Sequence, residues 1–453
     1  MALVSQTLVY ANAFRKQLGQ EQNHTWNDMA ANVQLLREND VTLEYTEMNN
    51  SVQVKQADVV LNTFPLDYTR NYPSSEALND LDYYALKQSP DGPGMTYAIF
   101  SIVANEVSPS GCSAYTYAQY SYSPYIRGPF FQFSEQLLDD FSANGGTHPA
   151  YPFLTGHGGA NQVVLFGYLG LRLLPDDKIH IDPNLPPQIP HLRYRTFYWR
   201  GWPVAAWSNY THTTIARATT VAPLSTADPT YANRSITVQV GAGGGTNSST
   251  TYQLPTNGTT VVLPNRRVGS VNTVPGNVVQ CQPVRSWGSF QPGQFPISVS
   301  DGAASTKWQP EFASNVSSVT VTLPPSKVGS NISGFYFDWA QAPPTNATVV
   351  LHDEWVEDPT LDSLATASSD NSTRSTVTRL NVTVSTPWDA ASNDVISLQT
   401  GNTTNVTFDA PLPAPRYATL FIQGNLALDE TDVRFKNGTG ATVAEWAILA
   451  ADK

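Results

Sequence analysis

The chain has 453 residues, with 25 Lys and Arg against 37 Asp and Glu, for a net charge of −12. Such a length can bury a sizeable core in more than one domain, and without a basic stripe to neutralise phosphates the chain is expected to have no nucleic-acid partner. Charged residues make up 14% and aromatics 11%, a polar but weakly charged composition that suits work at low pH, where protonation of carboxylates eases self-repulsion.

The first 175 residues read as helices. Val4, Leu8, Ala11, Phe14 and Leu18 recur on one helical face, and Gly19 ends it. Thr25 with Asp28 forms a capping pattern ahead of Trp26, Met29, Val33 and Leu36. Further helices are expected at Lys55–Asn62, Ser74–Lys87, Thr96–Glu106, Gln132–Asn144 and Gly159–Leu171, with a tyrosine-rich loop holding Tyr117, Tyr120, Tyr122 and Tyr125. That loop suits either packing or stacking on a sugar. Short connections rich in Pro and Gly favour antiparallel helical hairpins. The longest apolar run, Val163 to Leu174, is interrupted by Arg172, and no run reaches the roughly 20 residues of a membrane span.

From Asp176 the pattern alternates at period two: Ile179–Ile181, Leu192–Trp199, Thr213–Arg217, Ser235–Val240 and Thr259–Pro264, with the glycine-rich Gly241–Gly245 between the last two. This predicts a β-sandwich packed against the helices. Near Trp287 a third unit begins. Its Asp301-Gly302, Thr306 and Trp308, followed by Val319–Leu323 and Gly334–Trp339, resemble the discoidin or galactose-binding-like jelly roll. Tyr417–Gln423 and Val443–Ile448 would be closing strands, and the Ser/Thr/Asn-rich Leu361–Thr383 a glycosylated loop.

Cys112 and Cys281 are the only cysteines. They could form one bridge or stay as two buried thiols, since their separation says nothing about geometry. No Cys/His cluster has metal-ligand spacing, so no metal or cofactor is expected. Asn-x-Ser/Thr acceptors are dense: Asn23, Asn49, Asn209, Asn233, Asn247, Asn257, Asn315, Asn331, Asn346, Asn371, Asn381, Asn402, Asn405 and Asn437. They favour passage through a secretory pathway with glycans on exposed loops. The N-terminus, however, has no basic segment before its apolar residues and is not a signal peptide. Loss of the true N-terminus would reconcile the two.

Glu106 closes the apolar segment Gly94–Glu106, shortly before Ser108-Pro109. Such a carboxylate is either a solvated helix end or a placed base. In order along the chain, Val54-Lys-Gln-Ala-Asp-Val-Val60, Gly94–Glu106, Tyr151-Pro-Phe-Leu-Thr-Gly-His-Gly-Gly159 and Phe197-Tyr-Trp-Arg-Gly-Trp202 resemble the fungal acid trehalases of glycoside hydrolase family 65. The resemblance covers roughly residues 1–220. It implies that Glu106 is the general base of an inverting hydrolase, its Ile102 and Val103 neighbours helping to desolvate it and raise its pKa. It also implies that Lys55 and Gln56 contact the cleaved glucose and that His157 is a rim contact. A general-acid Glu in a Pro-Asp-Glu motif would lie upstream of Met1.

The resulting expectation is a mixed α and β multidomain protein: residues 1–175 the C-terminal part of an (α/α) six-hairpin barrel, 176–285 a β-sandwich and 286–453 a discoidin-like jelly roll. Its substrate would be trehalose or a related α-glucoside, and its location the cell wall, periplasm or vacuole. On its own the chain would be inactive, needing the N-terminal part of the same enzyme as partner. Phe14, Leu18 and Phe100 would then lack partners. One alternative is a non-catalytic carbohydrate-binding or adhesive glycoprotein. A disaccharide phosphorylase is another, disfavoured because the Glu106 charge would repel a phosphate dianion.

Overall fold

Apolar periodicity and Pro/Gly breaks make the chain mainly helical as far as Tyr168, and β-branched alternation makes most of the remainder sheet. The computed structural model describes residues 1–56, 58–90, 92–142, 144, 146–241, 249–367, 377–384, 395, 396, 398, 402–428 and 438–451. They fall into two compact units, one of residues 1–268 with 395–397 and one of 269–394 with 398–453.

In the first unit the helices are α1 (Ala2–Gln17), α2 (His24–Asn32), α3 (Ser74–Lys87), α4 (Thr96–Val107), α5 (Ser113–Tyr122) and α6 (Leu154–Gln162), which runs on into a π-helical turn, Val163–Tyr168. Two sheets follow. One orders Thr250–Leu254, Ile236–Val240 and Lys178–Ile181; the other lines up Val261–Pro264, His212–Arg217 and Trp202–Asn209, the last pairing with both His191–Arg193 and Phe197–Trp199. No seam falls at residue 175: Arg172 N–H donates to His180 O (2.9 Å), Asp182 N–H to Leu169 O (3.2 Å) and Asn184 N–H to Tyr168 O (2.9 Å). Helices and first strands thus belong to one unit, whose main stretch runs to Val268.

Several expectations change. α1 forms with Phe14 and Leu18 exposed, as expected of them, but Val4 is exposed as well, and it is Ser5 and Asn12 that are buried. Its seat on α2 is polar, with Ser5 Oγ donating to Ala30 O (2.9 Å) and Asn12 Nδ2 to Asn27 Oδ1 (2.7 Å). α2 is capped by Asn23, whose side chain accepts from Trp26 N–H, so Thr25 lies inside the helix. Lys55–Asn62 yields only a 3-10 turn, Asp58–Asn62. Gln132–Asn144 is not a helix: Gln132–Phe133 pairs with Ile126–Arg127, and the Arg127 guanidinium ties down the following loop through Gln136 O, Leu137 O and Asp139. The tyrosine-rich loop is α5. Tyr117, Tyr120 and Tyr125 are buried, Tyr120 stacks on Tyr97 at 3.7 Å between ring centroids, and Phe100 packs edge-on to Tyr97 and Tyr117, fully buried rather than unpartnered. Neither cysteine is a free thiol.

The second unit holds a five-stranded sheet (Val284–Ser286, Ser317–Thr322, Tyr417–Gln423, Asn346–His352, Thr378–Val382) and a three-stranded one (Thr403–Pro413, Asn331–Asp338, Glu445–Ala450), all pairings antiparallel. Alternate residues of both, Val319, Val321, Val349 and Leu420 from one and Phe335, Phe337, Trp446 and Ile448 from the other, share a core with Trp308 and Trp339. Gly334 sits at a register shift, where a Cβ would run into Val406 O. The presumed loop Leu361–Thr383 begins as a short helix, Leu361–Ala367, and ends in the strand Thr378–Val382; its 368–376 lie outside the described residues, as do 242–245 of the glycine-rich stretch.

Trp446 is fully buried and stacks at 6.1 Å on Phe337. Trp446→Ala is expected to lower the unfolding free energy of this unit by about 3–5 kcal/mol, read by denaturant titration; a loss below about 1 kcal/mol would show that the core closes over the gap.

Candidate active site

Every residue of α4 except Ile99 is buried, so its last turn delivers Glu106 into the interior. A carboxylate at a helix C-terminus faces the negative end of the dipole and, once buried, needs a counter-charge. Two arginines respond. Arg172 Nη2 donates to Glu106 Oε2 in an ion pair whose side chains are 9% and 7% exposed. Arg266 Nη1 donates to the Glu106 carbonyl (2.6 Å), satisfying one of the acceptors that a helix end leaves open. Asn105 Nδ2, one residue earlier, donates to Gly167 O (2.6 Å) in the π-helical turn.

Arg172 reaches this position through Gly170, at φ +65°, where a Cβ would collide with the Asp182 backbone. Its Nη1 donates to Phe166 O (2.6 Å) and Leu171 O (2.9 Å), and its guanidinium lies 5.2 Å from the Phe64 ring centroid.

Two further carboxylates sense the pair. Burial raises the pKa of Asp67, the Glu106 charge raises it further, and Arg172 and His180 oppose. Burial likewise raises Asp182, with Arg266 opposing at 3.8 Å, Glu106 raising and Arg172 lowering. His180 Nε2 lies 2.8 Å from Asp176 Oδ2. Glu106 borders two small hollows, one shared with Arg172, Asp182, Arg266 and Gly170, the other with Thr63, Asp67, Tyr68 and Tyr72. A larger cleft of about 380 Å³ lies elsewhere, among Leu3, Leu36, Leu43, Leu61 and Leu66. Of these three, only the hollows contain a buried, paired carboxylate, the feature that marks a candidate site.

The other candidates stand apart. Lys55 is exposed and Gln56 half-buried just before the 3-10 turn, with Gln56 Nε2 donating to Asp58 Oδ1 (3.2 Å). His157, on α6, accepts the Phe133 N–H at Nε2 (3.2 Å) and packs on the Phe133 ring (4.4 Å). None of the three lines either hollow at Glu106. The apolar surroundings expected of Glu106 are only half of its environment, since a guanidinium faces its carboxylate. Sequence reading passed over Arg172, although a single charge inside the run Val163–Leu174 calls for a buried partner.

The family model for the C-terminal domain of glycosyl hydrolase family 65 matches residues 171–226, from Leu171 onward. Over 99% of its length the chain is 62% identical to the cell wall acid trehalase of Arthroderma benhamiae, and it is 57% identical, again over 99%, to the acid trehalase of Emericella nidulans. The chain thus carries a glycosyl hydrolase family 65 C-terminal domain and is similar, along nearly its whole length, to fungal acid trehalases. It spans 43% and 42% of the lengths of those two relatives. Among solved structures it is similar to a putative kojibiose phosphorylase from the human microbiome, at 15% identity and a TM-score of 0.32, covering 47% of this chain and 24% of that one.

Tyr72, on the wall of the second hollow, donates its hydroxyl to Asp80 Oδ2 (2.7 Å), and Thr42 N–H donates to Asp80 Oδ1 (2.7 Å). Burial nevertheless pushes Asp80 up from 3.8 to about 6, the two hydrogen bonds pulling the other way. The folded state therefore binds this proton more tightly than the unfolded chain, so the contribution to stability is present at low pH and is lost as pH rises through about 4 to 6. Thermal unfolding is expected to show a stability gain from pH 7 to pH 4 that Asp80→Asn reduces by roughly 2–3 kcal/mol; an unchanged pH profile in the variant would refute that assignment.

Proposed function

We propose that this chain carries the general base of an inverting α,α-trehalase, with Glu106 as that base. The supporting observation is the Glu106 carboxylate, buried at the end of α4, paired on one oxygen and bordering a hollow. It lies in a chain that aligns almost entirely with proteins named acid trehalases. In the reaction Glu106 accepts a proton from water as the water oxygen bonds to the anomeric carbon. The glycosidic C–O bond breaks on the opposite face, and the leaving oxygen takes a proton from an acid. That acid is assigned to no residue of this chain; on the resemblance it is a glutamate of a Pro-Asp-Glu segment elsewhere in the enzyme. One glucose then leaves with inverted configuration. Lys55 and Gln56 offer donors suited to several sugar hydroxyls at once, and His157, which accepts the Phe133 N–H, contacts the substrate rim.

In this reading α1–α6 belong to an (α/α) barrel of helical hairpins, and the second unit is a galactose-binding-like jelly roll. The protein works in the cell wall, periplasm or vacuole, having passed the secretory pathway. Its acceptor asparagines fit that route: Asn49, Asn209, Asn233, Asn257, Asn315, Asn331, Asn346, Asn381 and Asn405 are exposed. Asn23 and Asn402 are half-buried and poorer acceptors, while Asn247, Asn371 and Asn437 lie outside the described residues.

Glu106→Gln in the intact protein tests the role, since the amide keeps the shape and loses the basicity. Glucose release from trehalose at about pH 4–5 is expected to fall on the order of 10²–10⁴-fold, with substrate binding nearly unchanged. Activity within a few-fold of wild type would assign the base elsewhere.

A further inference from the structure

An inverting base must keep one carboxylate lone pair free for the proton of the attacking water, and it must be ionised before the water arrives. Both conditions are hard to meet for a buried carboxylate at the negative end of a helix. Glu106 is 8% exposed. Its Oε2 takes the hydrogen bond from Arg172, and among the described residues no donor reaches Oε1.

We propose, building on the base reading above, that Arg172 is the positioning residue of Glu106. By engaging one oxygen and supplying the counter-charge, it fixes the rotamer of the carboxylate and leaves the other oxygen to receive water. The geometry around Arg172 suits a rigid clamp. Its Nη1 is anchored on the carbonyls of Phe166 and Leu171 at the exit of the π-helical turn, where such acceptors lack helical partners. Its backbone N–H is anchored on His180 O in the adjacent strand, and its plane rests against Phe64. A guanidinium tied at three places has little rotamer freedom left to lose when it meets the carboxylate. Asp67, Asp182, His180 and Arg266 face the pair from the neighbouring elements. Removal of Arg172 would leave Glu106 among carboxylates with Arg266 held on its own backbone carbonyl.

The test is steady-state hydrolysis of trehalose by the intact protein, comparing Glu106→Gln, Arg172→Lys and Arg172→Met, each verified as folded by thermal melting. Arg172→Met is expected to lose on the order of 10²-fold in kcat with KM within a few-fold, because a displaced base costs the chemical step rather than sugar binding. Its loss should not exceed that of Glu106→Gln. Arg172→Lys keeps the charge without the two-pronged anchoring and should recover part of the rate. If Arg172→Met does not fold, the lysine variant decides: a lowered kcat at unchanged KM supports positioning. Wild-type kcat in a folded Arg172 variant, with Glu106→Gln inactive, would overturn this inference and leave the base reading standing. An active Glu106→Gln would overturn the base reading itself, and this inference with it.

Discussion

The ion pair between Glu106 and Arg172 is the constraint around which the first unit is arranged. Burying two charges is expensive, and an isolated pair of this kind seldom adds stability over an apolar one of equal volume. Here the cost is spread over a network: Arg172 bonds two carbonyls, Arg266 bonds the Glu106 carbonyl, and Asn105 bonds Gly167. Together with the Arg172 N–H bond to His180 O, these contacts join the end of α4, the π-helical turn and the strand Lys178–Ile181. The side chain of Arg172 takes up the Phe166 carbonyl, one of those that the end of the π-helical turn leaves without an internal partner.

A second theme is the direction of the electrostatics. Burial raises Asp67, Asp80 and Asp182 in the first unit and Glu445 in the second. Glu445 illustrates the common cause: it accepts from Asn277 Nδ2 (3.0 Å) and Gly302 N–H (3.1 Å), yet desolvation and the nearby Asp301 and Asp338 dominate. Each such group costs the fold when ionised and is relieved by protonation. With a net charge of −12, acidification relaxes both the internal penalties and the overall self-repulsion. Asp139 runs the other way, lowered by its hydrogen bond to Arg127 at the surface, which shows that the trend follows burial rather than composition.

How much of this was legible in the sequence depended on whether local pattern or distant pairing decides a residue's place. α3 occupies the interval its periodicity marks, Ser74–Lys87, and the strand Tyr417–Gln423 likewise, because a dense apolar pattern bounded by breakers leaves one solution. α5 was hidden since tyrosine serves loops and cores alike, and only the stacking of Tyr120 on Tyr97 reveals its side. Glu106 could be singled out by its position after an apolar run. Arg172 stands out as the lone charge in its apolar run, but the pairing of the two could not be read, because nothing local links residues 66 positions apart. The barrier is physical: an ion pair is formed by folding, while periodicity is written along the chain.

α1 makes the same point from the opposite side. Its spacing correctly marked a helix, yet the face that seats on α2 is the polar one. Ser5 and Asn12 donate to Ala30 O, Asn27 Oδ1 and the carbonyl of the capping Asn23, whose N–H donates back to Asn12 Oδ1, and these bonds set the contact. These bonds are directional and short-ranged, so they fix the rotation of the helix about its axis, whereas apolar burial alone would accept a range of rotations. The cost is visible at Leu3, Val4, Phe14 and Leu18, which remain between 48% and 72% exposed. A hydrophobic period therefore reports that a helix exists and that it has an apolar stripe. Which side faces its nearest neighbour is settled by the strongest directional groups, and in α1 those are a serine and an asparagine.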